Sequence, residues 1–447
     1  MSRRCCEEFS RRAVAGAGVR AIEPGMPLPA GTGLTRRGFV ARSLGLALTV
    51  YGAGPLGLFD EGIASAAAGR GGRILVSVFM PGGADGMSML YPGGDPLYAK
   101  LRPKLALSGG LAFAEDARLA WHPALAPLAQ LHSEGKVTAL PAIGYDHPDQ
   151  SHFTSRHYWE VGATDTELRT GWMGRYLDEV GTADNPLQGL SLTGQLEPTL
   201  ATARVPVAAI AGPDQYTFST SGVWGSVADR MLETLGRFGE LHATDPALKT
   251  VSEVASQSDR LRQQLLPFAD KTKLVSPVAY PQTSDSFPQH LAGLAAMIGA
   301  GLPLRCVALE ASGEYDTHAD EATSLSTAFG LDAQSLLAFQ RDLEARGAAD
   351  RVLTLVWSEF GRRAQENGSG GTDHGAAGTA FVIGSRASGG MVGEFPGLAK
   401  GLDVDGNLKP TADFRGVYVS LLEQWLGFDA ARIVPDAGRF ARPKLVR

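Results

Sequence analysis

The chain contains 447 residues, of which 44% are hydrophobic, and carries a formal net charge of −6 at neutral pH. Enough apolar residues are present to bury a large core, so this composition excludes a disordered chain. The sequence has no basic run and no pattern of interleaved basic and aromatic residues, and nucleic-acid binding is therefore not expected.

Residues 1–68 are predicted to form an export signal with a long amino-terminal region. Arg36 and Arg37 precede an apolar stretch at 43–59 and small residues at 64–68, which is the order of a secretory signal. The paired arginines resemble a twin-arginine signal. The alternative is a basic segment before a membrane anchor, but glycine and proline interrupt the apolar stretch and make it a poor membrane-spanning helix.

This signal predicts where the protein acts and with which partner. We expect the twin-arginine export machinery as a partner and a mature protein that is periplasmic or extracellular and does not span the membrane. Loss of residues 1–68 removes eight arginines and five acidic residues, which changes the formal charge from −6 to −9. Cys5 and Cys6 are lost as well, so only Cys306 remains and an intrachain disulfide is excluded.

The mature chain begins with a predicted strand at 73–80, followed by a glycine-rich turn that contains Asp85. Glycines beside a carboxylate allow other groups to approach it, which favours a ligand role for Asp85. The alternative is that Asp85 caps a helix or holds a turn.

A second predicted strand, at 136–144, leads into a segment in which His147, His152 and His157 lie close to Ser151. If Ser151 begins a helix, its hydroxyl lies where a helix N-terminus favours an anion. The alternative is an ordinary N-cap hydroxyl. For each of the three histidines by itself a structural role is the more common one, and none of them is selected as a ligand.

The next part of the chain changes in character. Residues 213–285 have the pattern of charged amphipathic helices and are predicted to be an insertion that could cover a site. An apolar helix at 290–301 and a strand at 302–312 follow, and Asp316 and His318 stand just beyond that strand. A carboxylate and an imidazole therefore follow this strand too.

A nearly continuous apolar run at 351–357 predicts a strand that is buried on both faces. Glu359 and Arg362 follow it directly. The alternative for Glu359 is a simple salt bridge with Arg362 or Arg363.

A glycine-rich loop at 366–371 then leads to Asp373 and His374, and residues 379–384 predict the next strand. Glycines flank the two polar residues closely, as is needed where the backbone bends sharply or approaches a ligand. The alternative is that His374 is a polar loop residue.

Alternating strands and helices predict an α/β fold with one mostly parallel central sheet sandwiched by helices, and residues 69–447 are predicted to form a single domain with a helical insertion. Open α/β sheets bind ligands at the carboxyl ends of their strands, where we expect these polar residues to meet. Carboxylates and imidazoles suit a divalent cation, whose field makes a serine a usable nucleophile. The sequence contains neither a P-loop nor a nucleophile-elbow motif, which argues against two common classes of hydrolase.

Five motifs in this order resemble the DUF1501 family, exported bacterial proteins of unknown function in the alkaline phosphatase and sulfatase superfamily. The resemblance covers about residues 72–430 and implies an alkaline phosphatase-like fold, with metals at the carboxyl ends of the strands. The motifs are Pro81–Gly86, Ser151–Phe153, Asp316–His318, Ser358–Arg362 and Gly371–Gly375.

Roles carried over by position imply that Ser151 is the nucleophile, and Arg362 is predicted as a second catalytic residue. The predicted cofactor is one or two divalent metal ions, with Zn, Mg, Ca and Mn as the alternatives. The predicted ligands are the carboxylates and imidazoles that follow the strands: Asp85, Asp316, His318, Glu359, Asp373 and His374.

We therefore expect an exported metal-dependent hydrolase of phosphate or sulfate esters, with a small-molecule or polysaccharide ester as its substrate. The sulfatase version is the weaker one, because the Cys/Ser-x-Pro-x-Arg motif is absent. The alternative is a non-catalytic binding or envelope-assembly protein on the same fold. Two departures from the superfamily pattern support it, since Phe360 replaces a histidine and only one residue separates Asp316 from His318.

The export signal makes a direct prediction. Substitution of both Arg36→Lys and Arg37→Lys should leave the protein uncleaved in the cytoplasm, because the pathway recognises the arginine pair. Immunoblots of cell fractions measure this, and unchanged processing of the variant would show that the segment is not a twin-arginine signal.

Overall fold

The computed structural model describes residues 50–51, 72–214, 225–238 and 245–447. The predicted export signal lies outside the described residues, apart from the two-residue strand at 50–51. Within the described residues the strands are β1 Val50–Tyr51, β2 Ile74–Phe79, β3 Leu90–Tyr91, β4 Ala120–Trp121, β5 Val137–Gly144, β6 Gly189–Ser191, β7 Val207–Ala209, β8 Cys306–Glu310, β9 Val352–Trp357, β10 Arg362–Glu366, β11 Thr372–His374, β12 Gly378–Ile383, β13 Gly390–Met391 and β14 Ala412–Asp413.

The helices alternate with these strands along much of the chain. A π-helical turn, Leu421–Leu426, continues the last of them. The helices of the described residues are α1 Gly86–Met89, α2 Tyr98–Leu101, α3 Ala126–Ser133, α4 His152–Val161, α5 Trp172–Val180, α6 Gly225–Phe238, α7 Pro246–Leu265, α8 Phe287–Gly299, α9 Glu321–Ala345 and α10 Phe414–Ser420.

One mixed sheet of ten strands forms the centre of the fold, in the order β1-β7-β6-β8-β2-β9-β12-β5-β13, with β14 also paired to β5. The five neighbours β7, β6, β8, β2 and β9 run parallel to one another. Strand β12 runs antiparallel to both β9 and β5. The predicted α/β fold with a mostly parallel sheet is therefore confirmed.

The direction of β12 follows from the connection before it. Strand β9 ends at the carboxyl edge of the sheet, and the chain then forms the β10–β11 hairpin at that edge without a crossover helix. A strand that starts where its neighbour ends must run back beside it, because only a crossover connection restores the parallel direction. His374, just before β12, is therefore held at the carboxyl edge of the sheet.

Helices cover both faces of the sheet, as the apolar strands require. Side chains of β2 alternate between two buried clusters. Ile74, Val76 and Val78 pack on the face covered by α3, α8 and α9, whereas Leu75 and Phe79 pack on the face covered by α4, α5 and α10. The resulting order of layers is helix, sheet, helix.

The predicted insertion at 213–285 contains α6 and α7, as its amphipathic pattern indicates. Helix α7 packs near the start of β6, where Gln257 Nε2 donates to the carbonyl of Ala183 (2.9 Å). This contact lies before the first residue of β6, at the opposite end of that strand from its carboxyl end. No helix of the described residues is long and apolar enough to cross a membrane.

Candidate metal centre

Three histidines and an aspartate meet at the carboxyl edge of the sheet. His152 begins α4 after β5, Asp316 and His318 follow β8, and His374 ends β11. We call these four residues the imidazole cluster. They are brought together because β5, β8 and β9 all end at this edge.

The carboxylate of Asp316 lies at the middle of the imidazole cluster. Its Oδ1 atom is 3.1 Å from His318 Nε2 and 3.2 Å from His374 Nε2, and it is 3.6 Å from His152 Nε2. The two nitrogens His318 Nε2 and His374 Nε2 are 3.0 Å apart. Four potential ligand atoms therefore surround one small volume.

The other ring nitrogen of each histidine lies near an oxygen acceptor. His152 Nδ1 is 2.7 Å from Glu359 Oε1, and His374 Nδ1 is 2.9 Å from the carbonyl oxygen of Gln150. His318 Nδ1 is 3.4 Å from Asp373 Oδ1. A carbonyl or a carboxylate only accepts, so in the tautomer with its proton on Nδ1 each ring donates to this acceptor and presents the lone pair of Nε2 to the cluster.

These tautomers make the cluster suitable for a cation. Without one, the lone pairs of the Nε2 atoms face a carboxylate and one another, and the nitrogens of His318 and His374 can share at most one proton at 3.0 Å. Metal-binding histidines commonly donate their outer N–H to a carboxylate or a carbonyl, which is the arrangement here. The ligand atoms of His152, Asp316 and His374 all lie within 4.8 Å of one another.

The observed separations also fit one small ion. Tetrahedral zinc with bonds of about 2.0–2.1 Å places its ligand atoms about 3.3 Å apart. The separations from Asp316 Oδ1, 3.1, 3.2 and 3.6 Å, bracket this value. A donor set of imidazoles and a single carboxylate suits zinc better than magnesium or calcium, which prefer oxygen.

The position of the Asp316 carboxylate is fixed by an ion pair with Arg362. The fully buried guanidinium donates from Nη2 to Asp316 Oδ1 at 2.6 Å. Burial alone would raise the pKa of Asp316, but the three neighbouring imidazoles and the charge of Arg362 hold this pKa well below its usual range. Asp316 is therefore an anion throughout the physiological range of pH.

Arg362 has its remaining donors engaged by the backbone. Its Nε donates to the carbonyl of Gly83 (2.7 Å), its Nη1 to that of Thr372 (2.8 Å), and its Nη2 to that of Gly82 (2.5 Å). Arg362 was predicted as a catalytic residue, and the structure places it beneath Asp316 as a support for that carboxylate.

Glu359 is completely buried behind His152. The backbone N–H of Gly82 donates to its Oε1 (2.9 Å), and Ser358 Oγ lies 2.9 Å from its Oε2. Burial would raise the pKa of Glu359, but the hydrogen bond and electrostatic attraction of His152, together with hydrogen bonds from the backbone, lower it. Glu359 is thus held as an anion that orients His152. It contacts the ring nitrogen of His152 that faces away from Asp316, and it does not face the centre of the cluster itself.

The comparisons with known proteins agree with the resemblance found in the sequence. A family model described as "Protein of unknown function (DUF1501)" matches residues 140–408, which is more than half of the chain. The chain belongs to the DUF1501 family. A comparison with curated proteins found no match.

Several solved structures are similar in fold to this DUF1501 protein. One, from Vibrio parahaemolyticus, is a protein in the alkaline phosphatase superfamily with 9% identity and a TM-score of 0.35, and the match covers 84% of this chain and 71% of that one. The soluble domain of lipooligosaccharide phosphoethanolamine transferase A from Neisseria meningitidis has 10% identity and a TM-score of 0.35, with coverage of 89% and 98%. A sulfatase from Pseudoalteromonas sp. has 11% identity and a TM-score of 0.33, with coverage of 85% and 74%. Because these scores are low, the assignment of the site depends on its own contacts.

Not all of the predicted metal ligands from the DUF1501 motifs belong to the imidazole cluster. Asp316, His318 and His374 form its centre, whereas Glu359 and Asp373 lie behind histidines. Asp85, which was predicted as a metal ligand, faces Arg102 instead.

Both oxygens of Asp85 pair with the guanidinium of Arg102, and Arg102 Nη2 is 3.0 Å from Asp85 Oδ1. Burial would raise the pKa of Asp85, but Arg102 lowers it. The cation that neutralises Asp85 is therefore a side chain of the protein.

Ser151 lies at the N-cap position of α4, between two residues that contact the cluster. Its neighbours are His152 and Gln150, whose carbonyl accepts from His374. The Ser151 side chain makes no capping hydrogen bond, although Asp149 Oδ1 accepts from its backbone N–H (2.8 Å). Ser151 as a residue is only partly buried, and the N-cap alternative lacks the hydrogen bond that it requires.

His152 is the member of the cluster that sequence reasoning did not select. Three histidines lie within eleven residues there, and nothing in their spacing distinguished one from the others. The available indication was its position as the first helical residue after Ser151. His157 lies later on the same helix, and its Nε2 contacts the carbonyl of Asp165 instead (3.0 Å).

Phe360 forms an apolar wall of the cluster. Its ring centre is 4.9 Å from that of His152 and 4.8 Å from that of His374. Gly83 approaches from the other side with a φ of +73°, and a Cβ at this position would overlap the Phe360 ring. The residue that departs from the superfamily pattern is therefore packed as a spacer against two of the imidazoles.

Loss of the charge at the centre predicts a loss of stability. Asp316→Asn should lower the free energy of unfolding of the metal-free protein by about 3 kcal/mol at pH 7.5, because it leaves the buried Arg362 guanidinium without its counterion. Urea unfolding measures this change. Asp373→Asn is the control, and since its side chain is 55% exposed the expected change is below about 0.5 kcal/mol. Equal stability of Asp316→Asn and the wild type would contradict the role given to this ion pair.

Proposed function

We propose that this DUF1501 protein is a metal-dependent hydrolase of phosphate or sulfate esters that is exported by the twin-arginine pathway to the periplasm or the exterior. The observation that carries the proposal is the convergence of three imidazole Nε2 atoms on Asp316 Oδ1, with each Nδ1 held by an oxygen acceptor. Export is supported by the order of arginines, apolar residues and small residues in the first 68 positions.

His152, Asp316 and His374 would hold the ion, with His318 as the fourth donor. A bound divalent ion supplies a Lewis acid that stabilises charge on a phosphoryl or sulfuryl oxygen. Glu359, Gln150 and Asp373 keep the histidines in the tautomer that offers Nε2, and Arg362 keeps the carboxylate ionised. The protein thus pre-arranges a metal centre before any ion arrives.

Ser151 is the proposed nucleophile. Its Oγ would attack phosphorus or sulfur and form a serine ester. The bond from phosphorus or sulfur to the ester oxygen would break, and this oxygen would leave as an alcohol. The hydroxyl of Ser151 loses one proton in this step, and the leaving alcohol gains one. Water would then hydrolyse the serine ester and restore Ser151. The first N–H groups of α4 have no partner within the helix and favour an anionic group at this end.

A polar groove beside Ser151 offers space for the alcohol part of the substrate. It runs between the segment before α4 and the turn at 403–407, and it is lined by carboxylate, amide and imidazole groups, including those of His147, Gln150 and Asn407. Gln150 Nε2 donates to Asn407 Oδ1 across its floor (3.2 Å). Such groups bind hydroxyls, which supports a hydroxyl-bearing ester as the substrate.

The second candidate is a non-catalytic binding protein on the same fold. The observations that favour it are the Phe360 ring in the wall of the cluster and the engagement of Arg362 by backbone carbonyls, which leaves this cation unavailable to a substrate. Activity measurements separate the two candidates, because both predict that a metal ion binds.

Metal content tests the centre. The purified wild-type protein should hold about one equivalent of zinc after dialysis, and His374→Ala and His152→Ala should each weaken zinc binding at least about 100-fold, since each removes a direct ligand. Mass spectrometry of the dialysed protein and isothermal titration measure this.

His157→Ala is the matched control for the metal experiment. It removes a buried histidine of the same helix that does not face the cluster, so zinc content should remain at the wild-type level. A wild-type protein without a stoichiometric divalent ion, or full zinc content in the two ligand variants, would remove the chemical basis of the proposed hydrolase.

Ser151→Ala distinguishes the nucleophile from a structural serine. If Ser151 attacks the substrate, the substitution should reduce hydrolysis of p-nitrophenyl phosphate or p-nitrophenyl sulfate by several powers of ten. The free energy of unfolding should change by less than about 0.5 kcal/mol, because the hydroxyl makes no capping hydrogen bond. Steady-state kinetics and urea unfolding on one preparation measure both quantities.

Ser133→Ala is the control for that experiment, since Ser133 Oγ is an exposed hydroxyl at the end of α3. It should leave both quantities unchanged. A folded Ser151→Ala protein with wild-type turnover would refute the role of Ser151, and a wild-type protein that binds zinc but hydrolyses neither ester nor related esters would favour the binding protein.

A further inference from the structure

The β10–β11 hairpin carries Arg362, Asp373 and His374, yet it is not part of the central sheet. Its two strands pair only with each other as a separate sheet of two strands. The ladder of the main sheet therefore does not fix its position. Other contacts must determine where His374 lies relative to Asp316.

The first of these contacts comes from Arg102, whose side chain is fully buried at the end of α2. Its Nε donates to the carbonyl of Ala364 (3.0 Å), and its Nη2 donates to the carbonyl of Arg363 (3.0 Å). Both carbonyls belong to β10. Asp85 binds the same guanidinium with both oxygens, so that Asp85 fixes Arg102 and Arg102 fixes β10.

The second contact comes from Glu321, the first residue of α9, and it fixes β11. The hydroxyl of Thr372 donates to Glu321 Oε2 at 2.6 Å, and the backbone N–H of Glu321 donates to the carbonyl of Gly370 at 3.0 Å. The backbone N–H of Thr372 also donates to the carbonyl of Thr317 at 3.0 Å. Thr317 lies between Asp316 and His318, so this strand is tied directly to the segment that carries the centre of the cluster.

The two contacts belong to one buried group. Ser88 Oγ lies 3.2 Å from Arg102 Nη1 and 3.5 Å from Glu321 Oε1, and Arg102 Nη1 is 3.9 Å from Glu321 Oε1. Each strand of the hairpin is thus held by one end of a continuous network that itself contains no member of the imidazole cluster.

We infer that Asp85, Arg102, Glu321 and Thr372 form a positioning network that sets the hairpin, and with it His374 and Asp373, at the distance from Asp316 and His318 at which one metal ion is bound. This inference rests on the proposed metal centre. The network acts through geometry, because a displacement of His374 by about 1 Å moves its Nε2 out of the range in which it and Asp316 share one ion.

Thr372 is the residue at which the network can be tested with the least damage. Substitution of Arg102, Asp85 or Glu321 removes a buried charged or strongly bonded group and risks unfolding. Thr372→Val removes one hydroxyl and keeps the shape of the side chain. Thr372→Ser restores the hydroxyl.

Thr138→Val is the matched control. Thr138 is also fully buried, and its hydroxyl makes two hydrogen bonds, with Ser388 Oγ and with the N–H of Gly389 (both 3.0 Å). It lies at the start of β5, about 20 Å along that strand from its carboxyl end. The exchange of hydroxyl for methyl is the same, but it is remote from the hairpin.

The experiment measures the dissociation constant of Co²⁺ by chelator competition, together with the visible absorption of the bound Co²⁺, which reports the arrangement of its ligands. Thr372→Val should weaken binding at least about 10-fold and change the absorption spectrum. Thr372→Ser should bind within about threefold of the wild type, and Thr138→Val should leave both measurements unchanged.

Two results would overturn the inference. If the wild type binds Co²⁺ and Thr372→Val binds it equally well with the same spectrum, the network does not position the ligands, and the proposed metal centre still stands. If the wild type binds no divalent ion, the proposed centre fails, and the imidazole resonances of the metal-free protein decide the inference. Shifts of the His374 and His318 resonances in Thr372→Val, but not in Thr138→Val, would support the positioning role, and unchanged resonances would refute it.

Discussion

The ion pair between Asp316 and the buried guanidinium of Arg362 is the contact on which the rest of the site depends. Removal of a carboxylate from water favours its protonated form, and a fixed positive charge close to the carboxylate opposes this effect. Arg362 supplies that charge at 2.6 Å, and backbone carbonyls from the turn after β2 hold the guanidinium in place. The end of the first core strand is thereby connected to the centre of the cluster, although Asp85 itself is not.

The backbone and carboxylate acceptors around the cluster determine what its histidines can do. A histidine whose proton was not fixed could offer either nitrogen, and a site built from three of them would have no defined set of ligands. Here Glu359 is buried behind His152 and the Gln150 carbonyl lies behind His374, so the geometry of α4 and its preceding segment determines both tautomers. Ser151 lies between Gln150 and His152, which make these two contacts, so the proposed nucleophile belongs to the same segment.

Sequence patterns predicted the fold and part of the cluster. Buried apolar runs such as β2 and β9 are visible because a strand covered on both faces must be apolar throughout, and Asp316, His318 and His374 follow from their positions after strands. Two features depend on partners distant in sequence and were not predicted. Asp85 is separated by 17 residues from the arginine that neutralises it, and His152 could be distinguished from His147 and His157 only by where α4 lies in three dimensions.

The pairing of Asp85 with Arg102 bears on the number of ions. The sequence left one or two divalent ions open, and a second ion would need carboxylates of its own. Asp85 already has a cation from the chain, Glu359 is occupied by a histidine and two hydrogen-bond donors, and the Phe360 ring, which offers no ligand atom, packs against His152. Among the described residues, the group of histidine and carboxylate side chains whose potential metal-ligand atoms lie close together is the one around Asp316. We therefore propose a single-ion centre, in which the guanidinium of Arg102 neutralises Asp85 and holds the hairpin that carries His374.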